Sequence, residues 1–265
     1  RRSRTGYLRH ATGSLPGWTR LEVAIHAAHV RTRASYGPER LQDELRDDGF
    51  NAGVGRIQRL RKKLGLRCKQ VRKFKATTNS NHDLPVASNL LKQNFQSTRP
   101  NETWVTDITY VPTEEGWLYL SGVKDLHTCE LVGHAMGARM TKDLVGRALV
   151  KAVGAKRPTP GLIHHSDRGS QYCAQDYRNL LQQFGMKASM SRRGNCYDNA
   201  PMESFWGTLK NELVHHRRYE TRAQAMREIT EYIEIFYNRQ RRHSRLGNLS
   251  PAAFTQRFYR QQRAA

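Results

Sequence analysis

The chain has 265 residues, of which 45 are Lys or Arg and 23 are Asp or Glu, so its formal net charge is +22. A positive excess this large favours a polyanionic partner, nucleic acid before an acidic membrane surface, but does not by itself separate an enzyme from a packaging protein. No run approaches the ~18 apolar residues that span a bilayer, and no signal peptide is visible. The four scattered cysteines form no Cys-x-x-Cys pair, which argues against a zinc finger or a disulfide framework and suits a reducing cytoplasm.

The first part of the chain predicts a basic arm followed by a small helical domain. Residues 1–19 are rich in Gly, Ser and Thr as well as basic, so they are either a flexible arm that tracks phosphates or a disordered end. Residues 20–76 carry apolar side chains at helical spacing in three successive segments. Gly37 and Pro38 begin the second of these helices, and Gly49 ends it.

The third predicted helix is strongly basic. Between Gly53 and Lys75 ten residues are basic and none is acidic. A short helix, a Gly turn and a basic helix are typical of a helix-turn-helix, although a three-helix unit with a solvated basic face has the same pattern. We predict that this helix contacts DNA through Arg56, Arg59, Arg61, Lys62 and Lys63.

Residues 77–98 are polar and irregular and predict a linker, with one turn of helix docked on the next domain. From Trp104 the pattern changes to β-branched and aromatic residues in three strands with short turns, which predicts a meander. Helical and short apolar segments then alternate, so residues 99–217 predict the order βββ-α-β-α-β-α. Residues 218–265 predict a basic amphipathic helical extension: either Arg241 and Arg242 contact DNA, or the helix packs on the core and leaves a solvated tail.

Three acids fall at informative positions of this framework. Asp107 lies in the middle of a strand, Asp167 follows a short apolar strand, and Glu203 lies on the last helix of the domain. Carboxylates brought together repel and raise one another's pKa, and a divalent cation removes that repulsion. Mg²⁺ prefers oxygen ligands, and two such ions can activate an attacking oxygen and stabilise a leaving one. Each acid alone fits a cap or an ion pair, whereas the three together predict a metal site.

Cations and amides accompany these acids. Lys210 lies two helical turns beyond Glu203 on the same face, and Asn199 precedes Glu203 by one turn; Asp198 or Asn199 can cap that helix. The basic segment with Arg192 and Arg193 is suited to clamping a phosphate backbone. Two histidines adjoin Asp167, one expected to approach the scissile phosphate and the other to be buried. The predicted DNA contacts in this domain are Arg168, Arg192, Arg193, Asn199 and Lys210.

These motifs resemble the catalytic protein of bacterial insertion-sequence transposases in the group named after insertion sequence three, which is related to retroviral integrases. The resemblance covers nearly the whole chain after about residue 20. The matching segments are Tyr36-Gly37, Gly65-Leu66, Trp104–Tyr110, His164–Tyr172, Ser189–Ala200, Glu203, Lys210, Tyr237–His243 and Ser250-Pro251.

The resemblance implies an α/β fold. A ribonuclease-H-like catalytic domain, with a mixed five-stranded sheet and flanking helices, would follow an all-α helix-turn-helix domain and precede a helical C-terminal extension. Asp107, Asp167 and Glu203 would be the DDE acids, holding two Mg²⁺ or Mn²⁺ ions per active site. The implied activity is cleavage at the terminal inverted repeats of an insertion sequence, followed by strand transfer.

The implied partners are double-stranded DNA ends and target, a second copy of the chain or a higher oligomer, and an upstream-frame helix-turn-helix and leucine-zipper segment. The implied location is the bacterial cytoplasm, at the nucleoid. Two alternatives stay open at this point: a non-catalytic DNA-binding repressor and a plain Mg²⁺-dependent nuclease of the same fold. The intact acids favour catalysis, and the basic regions at both ends of the chain favour the handling of long DNA.

Overall fold

The computed structural model describes residues 18–69, 85–192 and 196–264. The chain divides into two compact units, residues 1–71 and residues 72–265. The predicted basic arm lies outside the described residues except for its last two positions, and so does the polar first part of the predicted linker. No helix among the described residues is long and apolar enough to cross a membrane.

The N-terminal unit contains three helices, α1 (Arg20–Arg31), α2 (Pro38–Asp47) and α3 (Val54–Lys63). A capping box begins α1, because Thr19 accepts from the Glu22 amide at 3.3 Å and the Glu22 carboxylate accepts from the Thr19 amide at 2.7 Å. Pro38 occupies the first turn of α2, where its missing N–H costs nothing, as the sequence predicts.

A small apolar core holds these helices together. The side chains of Ile25, Leu41, Leu45 and Ile57, one or two from each helix, are fully buried against one another. Burial of each such side chain contributes about 1.5–3 kcal/mol before the entropy of ordering is subtracted. The remaining face of α3 is free to carry polar and charged side chains.

The second unit is built on one five-stranded sheet. Its strands are β1 (Thr103–Thr113), β2 (Gly116–Asp125), β3 (Leu131–Gly137), β4 (Ile163–Ser166) and β5 (Lys187–Met190), in the order β3-β2-β1-β4-β5. The first three strands are antiparallel neighbours, which confirms the predicted meander, whereas β4 pairs parallel with both β1 and β5. The sheet is therefore mixed.

Helices cover both faces of this sheet. The chain continues through α4 (Lys142–Lys156), the short α5 (Ser170–Cys173) and α6 (Gln175–Gln183) to α7 (Ala200–Glu212), α8 (Arg222–Glu231) and α9 (Pro251–Ala264). A π-helical segment, Tyr232–Tyr237, extends α8, and short 3₁₀ turns lie at Cys196–Asn199, Val214–His216 and Ser244–Leu246. One core cluster joins the sheet to α4, α5 and α6, and the other joins it to α7, α8 and the π-helical segment.

The alternation of side chains along β1 decides which residues face which layer. Val105 and Val111 belong to the cluster beneath α7 and α8, whereas Trp104 and Ile108 belong to the cluster beneath α4. Since side chains on a strand alternate, Asp107 shares the face of Val105 and Val111 and points toward α7.

One prediction about the flanks needs correction, because residues 85–98 contain no helix. Leu91 is buried in the cluster beneath α7, so the described part of the predicted linker packs on the second unit. The predicted C-terminal helices are present, but Ile229 and Ile233 lie in that same cluster. Residues 218–237 therefore complete the core of the second unit, because the apolar stripe of α8 covers a sheet face that would otherwise meet water.

Candidate active site

Two of the three predicted acids meet where β4 ends beside β1, Asp107 within β1 and Asp167 just past β4. The pairing of β1 with β4 ends with Val105 opposite His165, and the two chains continue to Asp107 and Asp167 two residues later. Adjacent strands lie about 4.8 Å apart, so this register brings the two carboxylates to the same edge of the sheet. The order of strands in the sheet, rather than proximity in sequence, creates the pair.

The carboxylate of Asp107 is held by two donors. The amide of Ile108 donates to Oδ1 at 2.8 Å, and the indole Nε1 of Trp206 donates to Oδ2 at 3.1 Å. Gly122 lies directly opposite Asp107 in β2, and a Cβ atom there would lie 2.9 Å from the Trp206 ring. The absence of a side chain at Gly122 therefore lets Trp206 reach the acid, a contact that the apolar pattern of α7 does not predict.

Asp167 is positioned by the loop that follows β4. Its Oδ1 accepts from the Gly169 amide at 2.9 Å, which folds the loop back before α5 begins. Tyr172 of α5 is buried, and its hydroxyl lies 3.3 Å from Oγ1 of Thr106, the residue before Asp107. The loop after β4 is thereby tied to the strand that carries the first acid.

The electrostatics of these residues show that their negative charges disfavour one another. Burial raises the pKa of Asp107 well above its usual range; the charge of Asp167 raises it further, and Glu203 adds a smaller contribution. The hydrogen bonds from Ile108 and Trp206 act in the opposite direction. Burial also raises the pKa of Glu203, which lies on α7 one turn before Trp206. Protons or a cation therefore stabilise this cluster.

The donor set fits a hard divalent cation, since it consists of carboxylate oxygens that repel one another when ionised. The charge of Asp167 raises the pKa of Asp107 more than the charge of Glu203 does. Across residues 18–69, 85–192 and 196–264 no three His, Cys, Asp or Glu side chains are grouped closely enough to hold a metal as they stand. Asp107 and Asp167 alone could supply two carboxylate ligands, with water and phosphate oxygens completing the coordination of Mg²⁺.

Lys210 lies beside these acids, at the position that helical spacing predicts. Its Nζ atom is 5.2 Å from the centre of the Tyr110 ring. Burial lowers the pKa of Lys210, and the charge of Asp107 raises it, so the amine and the acid are within electrostatic range. This cation is directed toward the acid cluster.

The predicted DNA-binding arginines of the second unit lie on the loops that follow β4 and β5. The Arg168 Nε donates to the Ser191 carbonyl at 2.7 Å, and the half-exposed Arg192 pairs with Asp198 at 3.1 Å. Arg193 lies outside the described residues. Arg168 and Arg192 can still offer N–H groups to a phosphate from these positions.

The fully buried Asp198 organises the loop that follows β5. Its side chain is fully buried and accepts from Asn89 at 2.9 Å, from Gln93 at 3.0 Å and from Arg192. The hydrogen bond with Arg192 lowers the pKa of Asp198 far below its usual range. Neither Asp198 nor Asn199 caps α7, contrary to the prediction, because both side chains are used elsewhere.

Three predicted DNA contacts do not fit the structure, because their side chains are buried. Asn199 donates to the Thr106 carbonyl at 3.0 Å and thereby ties α7 to β1. Arg241 pairs with Glu212 at 2.8 Å, and Tyr232 donates to the same carboxylate at 2.7 Å. Arg61 turns inward and donates to the Cys68 Sγ at 3.1 Å.

One half of the histidine prediction is wrong, because neither ring is placed to approach a phosphate, whereas the expected burial is confirmed for both. His164 is buried against the Tyr177 hydroxyl at 3.1 Å, and His165 is buried between Ser189 at 2.8 Å and Ser191 at 3.2 Å. Burial lowers the pKa of His164 to about 3 and that of His165 to about 4, so both rings are neutral at pH 7. Both histidines therefore have structural roles in joining β4 to its neighbours.

The other predicted DNA contacts are accessible. In the N-terminal unit Arg56, Arg59 and Lys62 are exposed on α3, and the exposed Lys63 pairs with Glu22 at 2.7 Å. Arg242 is partly exposed and donates to the Asn248 carbonyl at 2.9 Å. These positions stay predictions, since exposure permits DNA contact without demonstrating it.

Family comparisons assign both units. A family profile described as an integrase core domain matches residues 97–196, a second with the same description matches residues 184–251, and one described as an HTH-like domain matches residues 18–74. The insertion element IS600 uncharacterized 31 kDa protein of Shigella sonnei is 65% identical over 240 residues, 91% of this chain and 88% of that protein.

Transposase InsF for insertion sequence IS3A of Escherichia coli strain K12 is 42% identical over 233 residues, 88% of this chain and 81% of the transposase. Among solved structures, a chain of the simian T-cell lymphotropic virus intasome with PP2A regulatory subunit B56 gamma matches with a TM-score of 0.52 and 14% identity, over 87% of this chain and 74% of that one. That likeness concerns the fold alone, and the predicted fold class is confirmed. The chain therefore belongs to the IS3 family of transposases, with an HTH-like region followed by an integrase core.

Proposed function

We propose that this transposase cleaves DNA at the terminal inverted repeats of its insertion sequence and joins the ends to a target, with Asp107, Asp167 and Glu203 as the catalytic acids. One observation carries the proposal. Asp107 in the middle of β1 and Asp167 just past the end of β4 follow one another across adjacent parallel strands, and the charge of Asp167 raises the pKa of Asp107. Like charges in this arrangement make it costly to ionise both acids, and a bound divalent cation would remove that cost.

The three carboxylates would hold two divalent cations, Mg²⁺ or Mn²⁺. When bound, such ions supply Lewis-acid stabilisation of phosphate oxygens and lower the pKa of an attacking hydroxyl or water. The protein's own contribution is orientation. Ile108 and Trp206 fix the two oxygens of Asp107, and the Gly169 amide fixes one oxygen of Asp167.

Cations near the acids would position the DNA. Lys210 lies within electrostatic range of Asp107, so it suits a phosphate next to the scissile one. Arg168 and Arg192 would hold the backbone along the neighbouring loop, while Arg56, Arg59 and Lys62 in the N-terminal unit would hold a further stretch of duplex. Arg242, Lys63 and the undescribed Arg193 complete the proposed set.

Transposition requires two DNA ends and a target, so we propose that a homodimer or higher oligomer assembles on double-stranded DNA. An upstream-frame helix-turn-helix and leucine-zipper segment would add end recognition and oligomerisation. The substrate is chromosomal DNA, which would place the protein in the bacterial cytoplasm at the nucleoid. A repressor or a plain nuclease of the same fold would differ in the products it forms.

Incubation of the full chain with a labelled duplex that carries its inverted-repeat end, in Mg²⁺, tests this function. We expect nicking at the repeat boundary and joined products. Asp167→Asn should abolish both and leave DNA binding nearly unchanged. The matched control is Asp176→Asn, which alters an acid on α6 that is 68% exposed and paired with Lys142.

Full nicking by Asp167→Asn would contradict the assignment of the acids. Nicking without joined products would indicate a plain nuclease. Binding of the repeat end without cleavage by the parent chain would indicate a repressor.

A further inference from the structure

A small aromatic pocket opens on the α4 face of the sheet, opposite to the face of the Asp107 side chain, and it includes Ile108, whose amide binds the Asp107 carboxylate. Its volume is about 200 Å³, and its lining residues are Ile108, Tyr110, Trp117, Tyr119 and Met140. We call it the aromatic pocket. It is smaller than the roughly 300–1,000 Å³ of pockets that hold drug-sized ligands, so its size suits a single planar ring system.

The strand register explains why these side chains meet. Tyr110 pairs with Tyr119 across β1 and β2, and Pro112 pairs with Trp117 two residues further along. Paired residues of antiparallel strands point to the same face, so three aromatic rings form one surface. The Tyr110 and Trp117 rings are 4.6 Å apart at 69°, which is an edge-to-face arrangement, and Trp117 remains 49% exposed.

The hairpin that carries Trp117 is firmly held. Arg222 of α8 donates from Nε to the Trp117 carbonyl at 3.1 Å and from its amide to the Glu115 carboxylate at 2.7 Å. The Glu114 amide donates to the Tyr219 carbonyl at 2.9 Å. Gly116 turns the chain at φ +100°, which a residue with a side chain rarely adopts. The exposed indole therefore belongs to a fixed surface.

Two contacts connect the aromatic pocket with the surroundings of Asp107 and Asp167. On one side, Lys210 lies over the Tyr110 ring at 5.2 Å and within electrostatic range of Asp107. On the other side, Gln171, four residues after Asp167, donates to the Met140 carbonyl at 3.2 Å. Lys210 is therefore close to both the pocket and Asp107, and Gln171 connects the loop after Asp167 with the pocket residue Met140.

We propose that the aromatic pocket binds one unstacked nucleobase of the DNA strand whose phosphate lies at the acids. Every base has a π-face, so aromatic rings bind bases without reading their sequence. Lys210 would hold the phosphate between the base in the pocket and the acids. This inference rests on the proposed function, because it takes DNA as the ligand of the acid cluster.

The site explains how a paired DNA end is opened for chemistry. Unstacking a base costs a few kcal/mol, and stacking on a protein ring offsets part of that cost. The scissile phosphate then becomes accessible at the edge of the sheet where β1 and β4 separate. Trp117 acts here as a positioning residue, since its ring contacts the base rather than the reacting atoms.

The test compares binding of the full chain to two single strands of equal length, oligothymidylate and a strand in which every sugar lacks its base. Both present the same phosphates. We expect tighter binding to oligothymidylate, a loss of about 5- to 150-fold in that affinity for Trp117→Ala, and no change for the abasic strand. Trp117→Phe should retain most of the affinity. The matched control is Tyr259→Ala, which removes a 42% exposed ring on α9.

A second measurement does not depend on a variant. Photo-cross-linking of 5-iodouracil, placed at successive positions of a single strand, should attach the base to Tyr110 or Trp117 in the unaltered chain. Cross-links confined to residues 18–69 would overturn the inference. So would equal loss of both strands in Trp117→Ala, or unchanged oligothymidylate binding.

Neither measurement uses a metal or scores cleavage, so the two proposals fail separately. A chain that nicks the repeat end but does not distinguish the two strands refutes the aromatic pocket alone. A chain that distinguishes the strands through Trp117 but does not nick refutes the proposed function alone.

Discussion

The buried Glu212 and the partly buried Glu203, on the same helix, show how structural charges differ from those proposed to be functional in this protein. Glu212, near the end of α7, accepts from Arg241 at 2.8 Å and from Tyr232 at 2.7 Å. Glu203, in the first turn of α7, has its pKa raised by burial and faces the pair formed by Asp107 and Asp167. The first acid is neutralised by the fold, whereas the second belongs to a cluster that the fold leaves negative.

Glu212 and its partners therefore contribute to the stability of the fold, whereas the acids around Glu203 lower it. A buried charge with a full set of partners fixes the packing of α7 against the π-helical segment. A cluster of like charges destabilises the chain that carries it, and such local cost is typical of sites with a ligand to bind. Substitutions in the two clusters should therefore have opposite effects on stability and on activity.

The largest expected effect follows from removing the partner of Arg241. Glu212→Ala leaves a buried guanidinium without its carboxylate, and breaking such a pair costs about 3–5 kcal/mol. Urea unfolding monitored by circular dichroism measures the free energy of unfolding. Arg241→Met together with Glu212→Ala should recover part of the loss, because the double variant buries no unpaired charge. A loss below about 1 kcal/mol for Glu212→Ala would contradict the buried-pair assignment.

The next effect concerns the orientation of Asp107. Trp206→Phe keeps the ring but removes the N–H that donates to Oδ2, and hydrogen bonds to charged groups are worth about 1.5–3 kcal/mol. Nicking at pH 7 should fall about 10-fold or more. The lost hydrogen bond lowers the pKa of Asp107, so its removal raises that pKa, and the acidic limb of the rate profile should move to higher pH.

A rate profile of Trp206→Phe that keeps its acidic limb while the rate falls would point to misplacement of α7 rather than to the carboxylate. Trp18→Phe in the N-terminal unit is the matched control for loss of an indole, and it should leave the profile unchanged.

The smallest effect is a gain in stability. Asp167→Asn removes the charge that repels Asp107, so without divalent cations the free energy of unfolding at pH 7.5 should rise by about 1 kcal/mol. The pKa of Asp107 is raised in the folded chain. The repulsion therefore acts at a pH high enough for both carboxyl groups to be ionised. It disappears at lower pH, because the carboxyl groups then take up protons. Unfolding in EDTA at pH 7.5 and at pH 4 measures both. A gain that is equal at the two pH values would exclude charge repulsion as its cause.

Much of the fold could be predicted from sequence, because local patterns carried it. The alternation in Trp104–Val111 and the turn at Gly116 predicted the meander, and the helical spacing in residues 20–64 predicted three helices. The three acids were singled out by their positions on the predicted strands and helix, and the resemblance to known transposases points to the same residues. Their adjacency was not visible in the sequence, since it depends on the parallel pairing of β1 with β4.

The features that were missed depend on contacts between distant positions. Asp198 is bound by Asn89 and Gln93, which lie 109 and 105 residues away in the chain. Arg241 and Arg242 are neighbours with the same charge, yet the first is buried and the second partly exposed, because only Arg241 meets Glu212 on α7. Residue type and helical spacing do not contain that information.

The measurement that tests the central claim most directly compares two substitutions on α7. Glu203→Gln and Glu212→Gln each remove one negative charge from the same helix, and circular dichroism gives the folded fraction of each variant. Nicking of the inverted-repeat duplex in Mg²⁺ is then measured per folded molecule. We predict that Glu203→Gln folds as stably as the parent chain and does not nick, whereas Glu212→Gln is less stable but nicks at the parent's rate. Parental nicking by Glu203→Gln would contradict the account.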